Sequence, residues 1–152
     1  TNMSGFYETS RWKLPLLAVN QLQKEVTHNE ALTLVDLLLA IAVAGAPQNA
    51  PPTAPEVGQC WLIGPAPTGD WAGRAGQIAG WTSGGWRWID PPLGLTVRAA
   101  DGRIFTLGAA GWSAPPGIAE PSGGSVVDSS ARAAITAVIQ ALRSQGLLSP
   151  LS

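Results

Sequence analysis

The 152 residues are enough for one ordinary domain or two small modules with a real core. A formal charge of -1 and a charged fraction of 12% supply neither a basic field for nucleic acid nor an acidic field for cationic partners. One cysteine excludes an intrachain disulfide, and Cys60 sits in the apolar run CWLI, where a buried, inert thiol is expected.

In chain order, the first predicted element is LPLLAVNQLQKEV. Pro15 suits a first helical turn, and Leu16, Val19, Leu22 and Val26 recur at helical spacing. Thr27-His28-Asn29-Glu30 then fits a capping box, which predicts a second helix from about His28 to Val43. Its apolar residues cover both sides: Ala31, Leu34, Val35, Leu38, Ile41 and Ala42 on one, Leu32, Leu37, Leu39 and Val43 on the other. The run from 32 to 46 is too short to span a bilayer of about 30 Å. Its internal Asp36 and its acidic flank also argue against a signal peptide, so a soluble chain without membrane insertion is expected.

Proline and glycine divide the rest. Residues 44–58 and 113–124 cannot continue helices. Between them QCWLI, GQIAGW, GWRWI, GLTVRAA and RIFTLG have strand-like composition, with TSGG turning Trp81 back beside Trp86 and Asp101-Gly102 closing a hairpin between Val97 and Ile104. The terminal element DSSARAAITAVIQALRSQGLL is a helix capped by Asp128 and closed by Gly146. Ala131, Ala134, Ile135, Val138, Ile139 and Leu142 form its apolar stripe, opposite Arg132, Thr136, Gln140, Arg143 and Ser144. The fold expected is α+β: N- and C-terminal helices in an oligomeric bundle, with a small antiparallel Trp-rich β module. The expected divisions are a helical segment over 1–46, the β module over 47–113, a Pro/Gly linker over 114–125 and the C-terminal helix over 126–152. Leu34, Leu37, Leu38, Ile135, Val138 and Leu142 are the expected oligomer interface, with a trimer as the expected number.

Seven Trp against one Tyr and two Phe pose the functional question. Trp61, Trp81 and Trp86 read as core, whereas Trp71 and Trp112 stand apart, Trp71 in a loop with glycines on both sides. A sugar ring stacks its CH face on an exposed indole and needs polar partners at the rim. Asp70, Trp71 and Arg74 in one loop, with Trp88 and Asp90 at the end of GWRWI, are the expected saccharide site. No catalytic residues, metal site or cofactor are expected. His28 is the sole histidine, one His and one Cys build no zinc site, and there is no phosphate loop, GxSxG elbow or dinucleotide fingerprint.

The stretches LPLLAVNQLQKEVTHNEALTLVD, WAGRAGQIAGW with GWRWIDP, and SSARAAITAVIQALRSQGLL resemble an uncharacterised domain family of alphaproteobacterial phages, prophages and gene transfer agents, with tail-fibre-like or virion members. The resemblance spans about Leu14 to Leu148. Asn20 and Leu22 depart from it where small residues are usual, and CWLI where an aromatic and β-branched strand is usual. The resemblance implies a virion or adhesion setting and no chemistry. The partners it implies are further copies of the chain, other virion proteins and cell-surface polysaccharide. The function expected is therefore a non-enzymatic structural and adhesive module. The alternatives are a carbohydrate-active enzyme fragment or a virion adaptor that binds no glycan.

Overall fold

A computed structural model describes residues 7–17, 24–39, 41–124 and 128–150. The chain runs through helix α1 (Lys24–Leu38), strand β1 (Ala42–Val43), β2 (Cys60–Leu62), a short 3-10 turn (Gly69–Trp71), β3 (Ile78–Thr82), β4 (Gly85–Ile89), β5 (Thr96–Ala99), β6 (Ile104–Gly108), β7 (Gly111–Ser113) and helix α2 (Ser129–Ser144). The strands form two sheets. One is the antiparallel meander β2-β3-β4, and the other has the order β1-β5-β6-β7, with β1 parallel to β5. The chain leaving β1 joins them, because the amides of Ala44 and Gln48 donate to the carbonyls of Cys60 and Leu62 in β2 at 2.8 and 3.0 Å.

This architecture corrects the expected α+β arrangement. The protein is mostly β with a C-terminal helix, and no N-terminal helical bundle is present among the described residues. The stretch from Glu8 to Pro15 is a bridged loop rather than the start of a first helix; residues 18–23 of that expected helix lie outside the described residues, and its last three, 24–26, open α1. The expected second helix also ends early. Arg11 and Trp12 take its last carbonyls, with the Arg11 guanidinium donating to Leu37 O at 2.6 Å and the Trp12 indole N–H to Leu39 O at 2.9 Å. The β-branched pair Ile41 and Val43 then favours extended backbone, and Val43 pairs with Ala99 of β5. The capping box does not start the helix either, since α1 begins at Lys24. Glu30 instead forms an ion pair with Arg87 of β4 at 2.8 Å, and the Asn29 side chain holds both the amide and the carbonyl of Leu17.

Strand alternation sorts the core into two layers. Cys60, Leu62 and Ile78 of the meander face Val43, Val97, Ala99 and Phe105 of the other sheet, with Leu37 of α1 among them. Trp61, Ile63 and Ala79 point to the opposite face of the meander, where Trp71 covers them. Leu37 packs closely over Gly80, where a Cβ would lie 2.5 Å from Leu37 Cδ1 and force the leucine to shift.

The position of Leu37 is set by its neighbour. The buried Asp36 carboxylate accepts from the Thr9 hydroxyl at 2.6 Å, the Arg11 amide at 2.9 Å and the Trp12 amide at 2.7 Å. Burial alone would raise the pKa of this carboxyl group. The three donors, with the Arg11 charge, outweigh burial and hold it below its ordinary value. A depressed folded pKa gives stability that is complete above the unfolded value, about 3.9, and lost as pH falls through the folded value. Asp36→Asn is therefore expected to cost about 3 kcal/mol at neutral pH and to flatten the acid limb of a urea-midpoint titration. An unchanged acid limb in the variant would show that Asp36 is not the linked group.

Candidate ligand-binding cleft

The expected saccharide residues are not brought together as a surface site. Trp71 is 0% exposed, and its ring meets Trp86 edge-on at 5.5 Å and Trp61 at 6.4 Å. It lids the tryptophan layer and offers no free face to a sugar. Trp88 is half-buried, with the Arg74 guanidinium 4.3 Å from the ring centroid and Trp86 stacked on it at 5.9 Å. Asp70 is exposed in the 3-10 turn, and Asp90 is exposed just beyond β4.

The expected oligomer residues also separate. Leu37 is fully buried in the core and cannot form an interface. Leu34 is half-buried and Leu38 partly exposed on α1, while Ile135 and Val138 are exposed and Leu142 half-buried on α2. The two helices do not form the expected joint surface, because α1 is committed to the sheets and α2 lies on the segment that precedes it.

The concave feature lies elsewhere. A cleft of about 450 Å³ opens where the two sheets meet, within the size range of small-molecule sites. Ile63 and Gly64 after β2, Gly76 before β3, Asp90 and Leu93 after β4, and the β6–β7 turn from Leu107 to Trp112 line it. Its walls are open because they are small. Gly108, Ala109, Ala110 and Gly111 make the tight turn, and Gly111 has a φ of 103°, a conformation that favours glycine. Trp112 is half-buried and fixed in orientation, since its indole N–H donates to Gly76 O at 2.9 Å. Asp90 is the single ionisable side chain on the lining, and its carboxylate takes no hydrogen bond or ion pair among the described residues.

Asp90 is thus the member of the expected site that the cleft retains. Trp112 is the aromatic partner that sequence reasoning set apart without placing it in a site. Its isolated GWS context was a visible signal, but only the tertiary fold places it with Asp90 on the lining of one cleft.

Other chemistry-bearing groups are accounted for locally. His28 is exposed on α1, and among the described residues no three His, Cys, Asp or Glu side chains gather as a metal site. Among those residues no helix is long and apolar enough to cross a membrane. Burial pushes the Cys60 thiol up to about 11, the Arg11 charge opposing and the Asp36 charge adding to this shift.

The segment from residue 28 to residue 113 matches the family described as "Protein of unknown function (DUF2793)". The chain belongs to this family. No curated protein matches it. The matched segment begins within α1 and ends on the last residue of β7, so it holds all seven strands and every residue lining the cleft. Helix α2 and the segment leading into it lie beyond the match.

Two outcomes follow from this geometry. Trp71→Ala is expected to destabilise the fold by about 3–5 kcal/mol, read as a large drop in melting temperature. Asp70→Ala in the same turn should leave that temperature nearly unchanged, and equal effects of the two would contradict the lid role. The Cys60 thiol should resist alkylation at neutral pH in the native state and react fully in denaturant, because only the thiolate is nucleophilic. Rapid native labelling would contradict its burial.

Proposed function

We propose that the protein is a non-enzymatic adhesion module of a phage or phage-like particle that takes an uncharged saccharide in the cleft between its two sheets. The observation that carries the reading is the meeting of Trp112 and Asp90 on the 450 Å³ cleft. An indole edge and face supply the apolar side of a sugar site, and a carboxylate without a partner accepts from ring hydroxyls, which together meet the two demands of saccharide recognition. Glycine and alanine walls bring backbone amides and carbonyls within reach of further hydroxyl groups.

The single carboxylate also shapes selectivity. An acidic sugar would place a second negative charge beside Asp90 with no cation on the lining to offset it, so neutral sugars are favoured. Glycosidases use a pair of carboxyl groups across the scissile bond, and the lining has one, which supports binding over hydrolysis. The particle setting rests on the sequence resemblance described above. Other virion proteins and cell-surface polysaccharide are the partners this reading assigns.

Neutral glycans on an array, followed by titration calorimetry, test the proposal. Asp90→Asn is expected to weaken binding about 10-fold or more, as for loss of a charge-assisted hydrogen bond. Ala110→Trp, at the exposed turn on the lip, should abolish binding by filling the cleft, with an unchanged melting temperature. Binding that survives Ala110→Trp would place the ligand outside the cleft and overturn the reading.

A further inference from the structure

Helix α2 presents the reverse of the orientation its amphipathic pattern suggests. Its cationic side faces its own chain. Arg132 donates to the carbonyls of Pro121, at 3.1 Å, and Gly123, while Arg143 donates to Ile118 O at 2.7 Å and lies 3.5 Å from the Glu120 carboxylate. Gln140 also reaches Glu120, at 2.9 Å. Of the apolar stripe, Ile139 turns inward and is buried. Leu142 is half-buried, and the others face out: Ala131 and Ala134 are exposed, Ile135 is 48% exposed and Val138 58%.

Two features bear on what covers this face. Ala131, Ile135, Val138 and Leu142 follow one another at intervals of four, three and four, the heptad spacing of a helix seam. The only charged residues of α2 are Arg132 and Arg143, and both are engaged by the segment that precedes the helix. The outward face is therefore uncharged. A helix that lies on anionic lipid carries free Lys or Arg beside its apolar face, and a charged protein partner needs opposite charges to pair with. A face with neither is matched by a copy of itself, where apolar seam meets apolar seam without like-charge contact.

We infer that α2 associates with the α2 helices of two other copies around a common axis, with α1 taking no part. β-branched residues occupy both central seam positions, Ile135 and Val138, and that pattern favours three strands over two. Area points the same way. A 16-residue helix is only about 24 Å long, so one pair falls short of the roughly 1,200 Å² of a stable interface, whereas in a ring of three each helix meets two neighbours. The helix lies outside the matched family segment, so assembly is carried by an element separate from the cleft. The inference does not rest on the saccharide reading.

Light-scattering mass across a concentration series tests it with the full chain. The wild type is expected to approach three times the 15.7 kDa chain mass by roughly 100 μM, a high concentration because the seam from Ala131 to Leu142 is shorter than two heptads. Val138→Asp should return the single-chain mass with unchanged tryptophan fluorescence, which reports the intact β module. Val35→Asp, on the exposed side of α1, should leave the trimer mass unchanged. A single-chain or two-chain mass for the wild type overturns the inference, as does an assembly that survives Val138→Asp or dissolves with Val35→Asp. Binding of the wild type, but not Val138→Asp, to phosphatidylserine vesicles would also overturn it.

Discussion

The Asp36 carboxylate determines how the two sheets come together. A charge removed from water costs several kcal/mol unless donors surround it, and here two backbone amides and one hydroxyl of the loop around residues 9–12 do so. The same loop stops α1, because Arg11 and Trp12 satisfy its final carbonyls. With the helix ended, Leu37 is set into the hollow over Gly80 and the chain is free to enter β1. Each later feature uses that start: β1 pairs with β5, the chain beyond it pairs with β2, and the sheets meet along one seam.

The tryptophans show how a residue type can have two roles within one module. Five of them, Trp61, Trp71, Trp81, Trp86 and Trp88, contact one another on a single face of the meander and serve as its second core layer. Their edge-on and stacked contacts compensate for a short chain segment with few aliphatic residues in the same layer. Trp112 is on the other sheet, half-buried, packed against the first core layer and hydrogen-bonded to the backbone of Gly76, with part of its ring on the cleft. Its place on the cleft lining, in addition to its core contact, is what makes it the candidate ligand contact.

Division of labour follows the chain. The strands and the cleft occupy the family segment, and α2 is a polar-anchored extension whose free face is apolar. Gly146 allows its C-terminal end to approach the β5–β6 hairpin, where a side chain would collide with the Gly102 carbonyl, and Arg98 bridges Gly102 and Gln145. A ligand site repeated on an assembly gains avidity even when each contact is weak, which links the two proposals without making either depend on the other.

Local chemistry by itself determined several elements. Trp81 pairs with Trp86 across the TSGG turn, Asp101-Gly102 closes β5 on β6, Asp128 caps α2 through the Ala131 amide, and Gly146 ends it, all as their short-range patterns indicate. These outcomes are set within a few residues, where turn geometry and capping dominate. Tertiary structure decided the rest. The apolar run after Asp36 reads as helix by composition, yet its end became strand because residues 11, 12 and 100, distant in sequence, supply its hydrogen-bond partners. Trp71 lies in a glycine-flanked turn that reads as exposed, yet it is buried because three strands bring Trp61 and Trp86 beneath it. That Asp90 and Trp112 line one cleft likewise depends on the meeting of two sheets, which no local spacing between positions so far apart encodes.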